Sequence, residues 1–252
     1  NPKQFFPAYV RGYHLTTNSY FMTKTNDQRQ IQSDFDLQQK ALGRRKFLRN
    51  TGAALTAGAL VSMIACDKDD DNDGVNFGSG DFAILNYAYA LEQLEAAFYI
   101  QVITTPYTGI SSAESSLLTD IRDHEIAHRE FFKAALGTNA IQALEVDFSS
   151  VNFNSRDSVL MTAKAFEDLG VSAYNGAGRY IASVDYLLLA GKIVSVEARH
   201  AAYIRDLLSN GSFADSTVID ANGLEMSRKP RAVLDIAKTY IKTKLNASSL
   251  PA

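Results

Sequence analysis

Over the last two thirds of the chain, apolar residues recur at helical spacing in a series of separate stretches. The first runs from Asp81 to Val102 and is marked by Ile84, Ala88, Leu91, Phe98 and Val102. Pro106 and Gly109 close it. Ser111 and Glu114 form a Ser-x-x-Glu capping box for a second helix, which continues to about Leu136 before Gly137. A third helix is predicted from about Ser155 to Ile181, and a fourth from about Asp185 to Leu208, stopped by Asn210-Gly211. The third and fourth are joined by a few residues only, which makes them antiparallel neighbours. The link from Gly137 to Asn154 has no helical pattern and is long for a compact domain. Extended, it reaches about 60 Å, whereas a 24-residue helix is about 36 Å long. It can therefore cross the full length of a bundle. The expected fold is all-α: a four-helix bundle over 81–210 with one long crossover between its second and third helices. A C-terminal helix, about Pro230 to Leu245, should pack outside it within a helical tail, 211–252.

Before residue 81 the pattern changes. Residues 44–66 read RRKFLRNTGAALTAGALVSMIAC: a twin arginine, Arg44-Arg45, then an uncharged stretch rich in Ala and Gly. The apolar part, Thr51 to Ala65, is too short to cross a bilayer core of roughly 30 Å as a helix. A basic region, a short apolar region and small residues before a processing point make an export signal, and this one resembles a twin-arginine signal. Met63-Ile64-Ala65-Cys66 resembles a lipoprotein processing box. Its position just after the signal favours a lipidated Cys66 over a lone buried cysteine. The expected partners at this end are the twin-arginine export machinery and, through the lipid, a membrane of the cell envelope. An acidic linker, 67–80, follows, with DKDDDNDG at its start. Residues 1–43 show no strong periodicity and are expected to be disordered. Met22 is a plausible start within them.

Composition narrows the choice. The chain has 252 residues, 46% of them hydrophobic, which is an ordinary globular proportion. One cysteine excludes a disulfide framework and a cysteine-based zinc site. Residues 1–65 carry 9 Lys/Arg against 3 Asp/Glu, while residues 66–252 carry 16 against 25. An acidic body is the reverse of what a nucleic-acid binder needs.

Six residues carry candidate chemistry. The second helix contains Glu125-Ile-Ala-His128 and the fourth Glu197-Ala-Arg-His200, and in each the Glu and His share a helix face. The first helix has Glu92 with Tyr99 seven residues on. The third has Glu167 with Tyr174 seven residues on. The same unit thus occurs twice: Glu-x6-Tyr, then Glu-x-x-His one helix later. A single Glu-x-x-His is weak evidence, but two copies at nearly equal spacing are hard to obtain by accident. Glu, Glu and paired Glu-x-x-His resembles the ligand pattern of di-iron and di-manganese carboxylate bundles. Four carboxylates balance two divalent cations, and oxygen ligands with two imidazoles suit iron, or alternatively manganese. Glu95 competes with Glu92: it lies nearer the centre of the apolar stripe, but the internal repeat favours Glu92. Glu95 is then a spare or supporting ligand. Tyr99 and Tyr174 have two readings, as partners of the ligand carboxylates or as ordinary core tyrosines. His124 points about 100° away from Glu125 and reads as a surface residue. Gly170, Gly176 and Gly178 either permit close packing or mark an irregular end of the third helix.

The segments LEQLEAAFY (91–99), DHEIAHREFF (123–132), AFEDLGVSAYNGA (165–177) and EARHAAYIRDLL (197–208) resemble the ferritin-like domain family that includes bacterial exported proteins and plant desiccation-related proteins. The resemblance implies the bundle and a di-metal carboxylate site. It implies an exported, envelope-bound redox protein acting on oxygen or peroxide, with ferrous iron as a further candidate partner. The alternative is a non-catalytic stress or structural lipoprotein whose metal only holds the bundle together.

Overall fold

The structure is a computed structural model and describes residues 73–252. The extension 1–43 with Met22, the export signal with Arg44 and Arg45, Cys66 and the first part of the acidic linker lie outside the described residues. Five α-helices form the described part: α1 (Gly80–Thr104), α2 (Ser112–Leu136), α3 (Arg156–Ala177), α4 (Val184–Leu208) and α5 (Pro230–Ala237). Two short strands, β1 (Val75–Asn76) and β2 (Leu245–Asn246), pair in parallel.

The first four helices make the bundle, α1 packing chiefly on α2 and α3 on α4. Contacts at the ends set the helix directions. The Asp81 carboxylate accepts the backbone N–H of Ala182 at 2.8 Å and of Ser183 at 2.9 Å, so α1 and α4 start together. At the far end Arg156 pairs with Glu114 at 2.6 Å and donates to the Leu207 carbonyl at 3.0 Å. The starts of α2 and α3 therefore meet the end of α4. Ser111 and Glu114 form the expected capping box, and Ser155 and Ser183 cap α3 and α4.

Helix α1 is the centre of the molecule. It is apolar nearly all round and buried from Ala83 to Ala96, as a helix enclosed on all sides must be. Two of its buried polar residues bond to the crossover. The Asn86 amide donates to the carbonyls of Phe77 and Asn139 and accepts the Ile141 N–H. Gln93 accepts the Leu144 N–H at 2.9 Å and donates to the Gln142 carbonyl. These two residues, seven apart on one face, satisfy the backbone of the crossover, which has no helix of its own to do so. Beyond a single turn at Gly137–Asn139, the crossover runs along α1. It passes Asn86 and Gln93, seats Phe148 and Phe153 against Phe98, and reaches Thr108 through the Asn154 carbonyl. The long link therefore crosses the bundle end to end.

Three boundaries differ from expectation. Helix α3 stops at Ala177 rather than Ile181, turning into a single 3-10 turn at Gly178–Tyr180. Helix α5 stops at Ala237 rather than continuing to Leu245. After it, Lys238–Tyr240 makes one turn, and Ile241 bridges Val146 of the crossover. Tyr240, Ile241 and Thr243 favour extended backbone, and the crossover offers it partners. The tail is thus mostly non-helical. The linker also ends earlier than residue 80: Val75–Asn76 is β1, and Phe77 is fully buried.

Candidate metal centre

Glu92, Glu125, Glu167 and Glu197 come from four different helices and are 0–1% exposed. Around them the structure assembles two groups: Glu92, Glu125, Glu197 and His128, and Glu125, Glu167, Glu197 and His200. In the first, His128 Nδ1 lies 2.8 Å from Glu197 Oε1, 3.5 Å from Glu92 Oε2 and 3.6 Å from Glu125 Oε2. In the second, His200 Nδ1 lies 2.8 Å from Glu125 Oε1, 3.3 Å from Glu197 Oε2 and 3.5 Å from Glu167 Oε2. Glu125 and Glu197 belong to both groups and present one oxygen to each. The arrangement has an approximate twofold, as the internal repeat requires.

The two tyrosines complete the symmetry by crossing over. Tyr99 on α1 donates to Glu167 Oε1 on α3 at 2.5 Å, and Tyr174 on α3 donates to Glu92 Oε1 on α1. Each outer carboxylate thus has one oxygen occupied and the other free. The free atoms are Glu92 Oε2, Glu167 Oε2, both oxygens of Glu125 and of Glu197, and Nδ1 of each histidine. All eight are buried and none makes a hydrogen bond of good geometry, the closest approaches being the 2.8 Å contacts of His128 with Glu197 and of His200 with Glu125. Four carboxylates crowded on two imidazoles without well-directed hydrogen bonds would be costly in a dry core. Their separations are those of neighbouring ligand atoms about an ion, roughly 3 Å when each lies about 2.1 Å from it. The residues present therefore fit bound metal cations.

Charge makes the same point. Burial, then the Glu197 charge, pushes Glu92 up, and burial also raises Glu167. Burial and Glu197 raise Glu125 to about 8, against the pull of both imidazoles. Burial would raise Glu197 too, but His128 and His200 hold it below its ordinary value. Burial pushes His128 down, yet Glu125, Glu197 and Glu92 outweigh it and carry the imidazole up to about 12. For His200, Glu125, Glu167 and Glu197 outweigh burial to the same degree. Without cations the cluster neutralises itself with protons.

Glu95 is buried at 4% and sits in neither group. Burial, then the charges of Glu125, Glu197, Glu92 and Glu167, holds its carboxyl well above the ordinary range. Gly170 makes room for it: a Cβ there would lie 3.0 Å from Glu95 Oε1. Gly176 serves a different approach, because a Cβ there would lie 1.7 Å from the Arg228 carbonyl oxygen of the tail.

Two residues with no role in the sequence reading stand beside the site. His124 is exposed, as expected of a surface residue, yet its Nδ1 lies 2.9 Å from His200 Nε2. Partial burial and then His200 and His128 hold its imidazole below the ordinary value. Arg205, 1% exposed, grips Asp168 at 2.7 and 2.9 Å and reaches Asp215 at 3.1 Å, anchoring the tail to α3 next to Glu167. The signal for His124 was its place four residues before His128, on the same face of α2. No helix among the described residues is long and apolar enough to cross a membrane.

A family model described as a ferritin-like domain matches residues 80–210. No curated protein matches the chain. The matched span contains all four bundle helices and every residue of both groups.

Proposed function

Since the chain belongs to the ferritin-like domain family, we propose that its buried cluster holds two iron ions, with manganese as the alternative, and acts on oxygen or peroxide. The carrying observation is the set of eight buried ligand atoms, none with a well-directed hydrogen bond, in two groups that share two carboxylates. In this reading Glu92 and His128 would hold one ion and Glu167 and His200 the other, with Glu125 and Glu197 available to both. Tyr99 and Tyr174 hold the outer oxygens of Glu167 and Glu92, so that each turns a single oxygen inward. Bound iron would supply reversible one-electron chemistry toward oxygen, peroxide or further ferrous iron. The protein contributes rigid orientation on four helices and a core that admits little water. His128, with 14% of its side chain exposed, lies on the side nearest solvent.

The twin arginine and Cys66 support an exported protein, lipid-anchored at the cell envelope. Cys66→Ala should abolish labelling by a fatty-acid probe, and normal labelling would remove the anchor from the proposal.

The metal reading is tested by metal analysis of protein purified from its native compartment, followed by ferrous-iron oxidation and peroxide consumption. Two ions per chain and turnover with either oxidant are expected. Tight binding with no change of oxidation state would replace the enzyme by a structural lipoprotein. Manganese with oxygen release from peroxide would keep the enzyme and change the metal.

A further inference from the structure

The approximate twofold of the centre is broken at Glu95, whose equivalent on α3 is Gly170, and again at His124. His124 precedes Glu125 on α2, and the equivalent residue before Glu197 on α4 is Val196. His124 meets His200 with ring planes 11° apart and ring centres 5.1 Å apart. With a 2.9 Å contact between the nitrogens, these values do not describe a stack. They describe two coplanar imidazoles joined edge to edge, since the centroid distance is about that of the nitrogens plus the two ring radii. This is an in-line hydrogen bond. Val196 can offer nothing similar to His128, and no protein group among the described residues hydrogen-bonds His128 Nε2.

We propose that His124 is a positioning residue for the half of the centre built on His200 and Glu167, making that half the first and tighter of two unequal cation sites. The proposal rests on the metal reading given above. An imidazole that binds an ion through Nδ1 carries its hydrogen on Nε2. That hydrogen then needs an acceptor, and His124 Nδ1 stands in line to accept it. The contact fixes the plane of the His200 ring before any ion arrives, and it holds the remaining hydrogen on Nε2 once an ion takes Nδ1. The ligand Nδ1 is thereby aimed at Glu125 Oε1, 2.8 Å away, and at the inner oxygens of Glu167 and Glu197. The partner of a ligand histidine is usually a carboxylate, a backbone carbonyl or water. Here it is an exposed histidine reaching from α2 to α4, two helices that are not a principal packing pair. His128 has no such support, so its ring must be ordered when the ion binds.

The test uses the full chain, stripped of metal and titrated with cobalt(II), reading stoichiometry and ligand-field absorbance. His124→Phe keeps a planar side chain and removes the acceptor. His124→Asn keeps an acceptor, Oδ1, near the place of Nδ1. Wild type should bind two ions with unequal affinity. His124→Phe should lose about 10- to 100-fold at the tighter site, and His124→Asn should restore it. Two backgrounds locate the effect. With Glu92→Ala the loss on His124→Phe should persist, and with Glu167→Ala it should vanish. Far-ultraviolet circular dichroism of the metal-free variants should match wild type. If wild type binds two ions and His124→Phe binds both as tightly, the inference fails while the metal reading stands. The same holds if the loss falls on the His128 site. If wild type binds no cobalt, the metal reading fails and takes the inference with it.

Discussion

Tyr99 and Tyr174 each close a contact between α1 and α3, and each leaves the inner oxygen of its glutamate without a well-directed hydrogen bond. Tyr99→Phe should leave Glu167 Oε1 buried and unsatisfied, at a cost of about 1–3 kcal/mol in urea unfolding of the metal-free protein. Arg205→Leu removes the buried, two-pronged partner of Asp168 and leaves it only the half-exposed Lys164, 3.0 Å away. Because it takes two charge-assisted hydrogen bonds from that carboxylate and the tail's tie to Asp215, it should cost about 1–3 kcal/mol by the same measurement. Adding Asp168→Asn should recover part of the loss. Which residues share a face was legible in the sequence, because Glu-x-x-His and Glu-x6-Tyr bring their members to one side wherever the helix sits, although each tyrosine bonds the glutamate of the other helix. His124–His200 and Arg205–Asp168 were not, because they depend on the register between helices. Glu92 and Glu95 could not be ranked by a helical wheel either. A helix buried on all sides has no single apolar stripe to measure from.

Between elements, fit is set by two close approaches. Gly176 lets the tail backbone lie on α3, where the Arg228 N–H donates to the Ser172 carbonyl at 2.9 Å. Gly176→Ala should push the tail away and cost about 1–3 kcal/mol, with faster proteolysis between residues 209 and 229 as the local readout. Phe98 is the other. It meets Tyr99, Phe148, Phe153 and Phe166, joining α1, α3 and the crossover. Phe98→Ala should cost about 3–5 kcal/mol in chemical denaturation. Helix starts were readable from Ser111, Ser155 and Pro230, because a cap or an N1 proline acts locally. The end of α5 was not readable: its continuation is apolar enough for a helix, and bonds to a crossover distant in sequence decide against one.

For the molecule as a whole, the crossover was the most legible feature, since only a link of that length joins helices two and three in this topology. The charge balance at its centre predicts an unusual pH dependence. In the metal-free fold His128 and His200 are raised to about 12 and Glu125 to about 8, from 6.5 and 4.5. Raised groups stabilise the fold fully below their ordinary values and lose that contribution as pH climbs through the folded ones. Cations compete with these same protons. The gap in melting temperature between loaded and metal-free protein should therefore be small near pH 5 and widen toward about pH 8. Calorimetry of both forms at each pH would check it, the remaining groups cancelling in the difference. The pairing of β1 with β2 has a consequence in time rather than in energy. Val75 meets Leu245 across nearly the whole described chain. A closure of that length costs entropy that no local contact returns, so it belongs after the folding barrier. Removing residues 245–252 should leave the refolding rate where it was and speed unfolding, moving one limb of the chevron while the other stays.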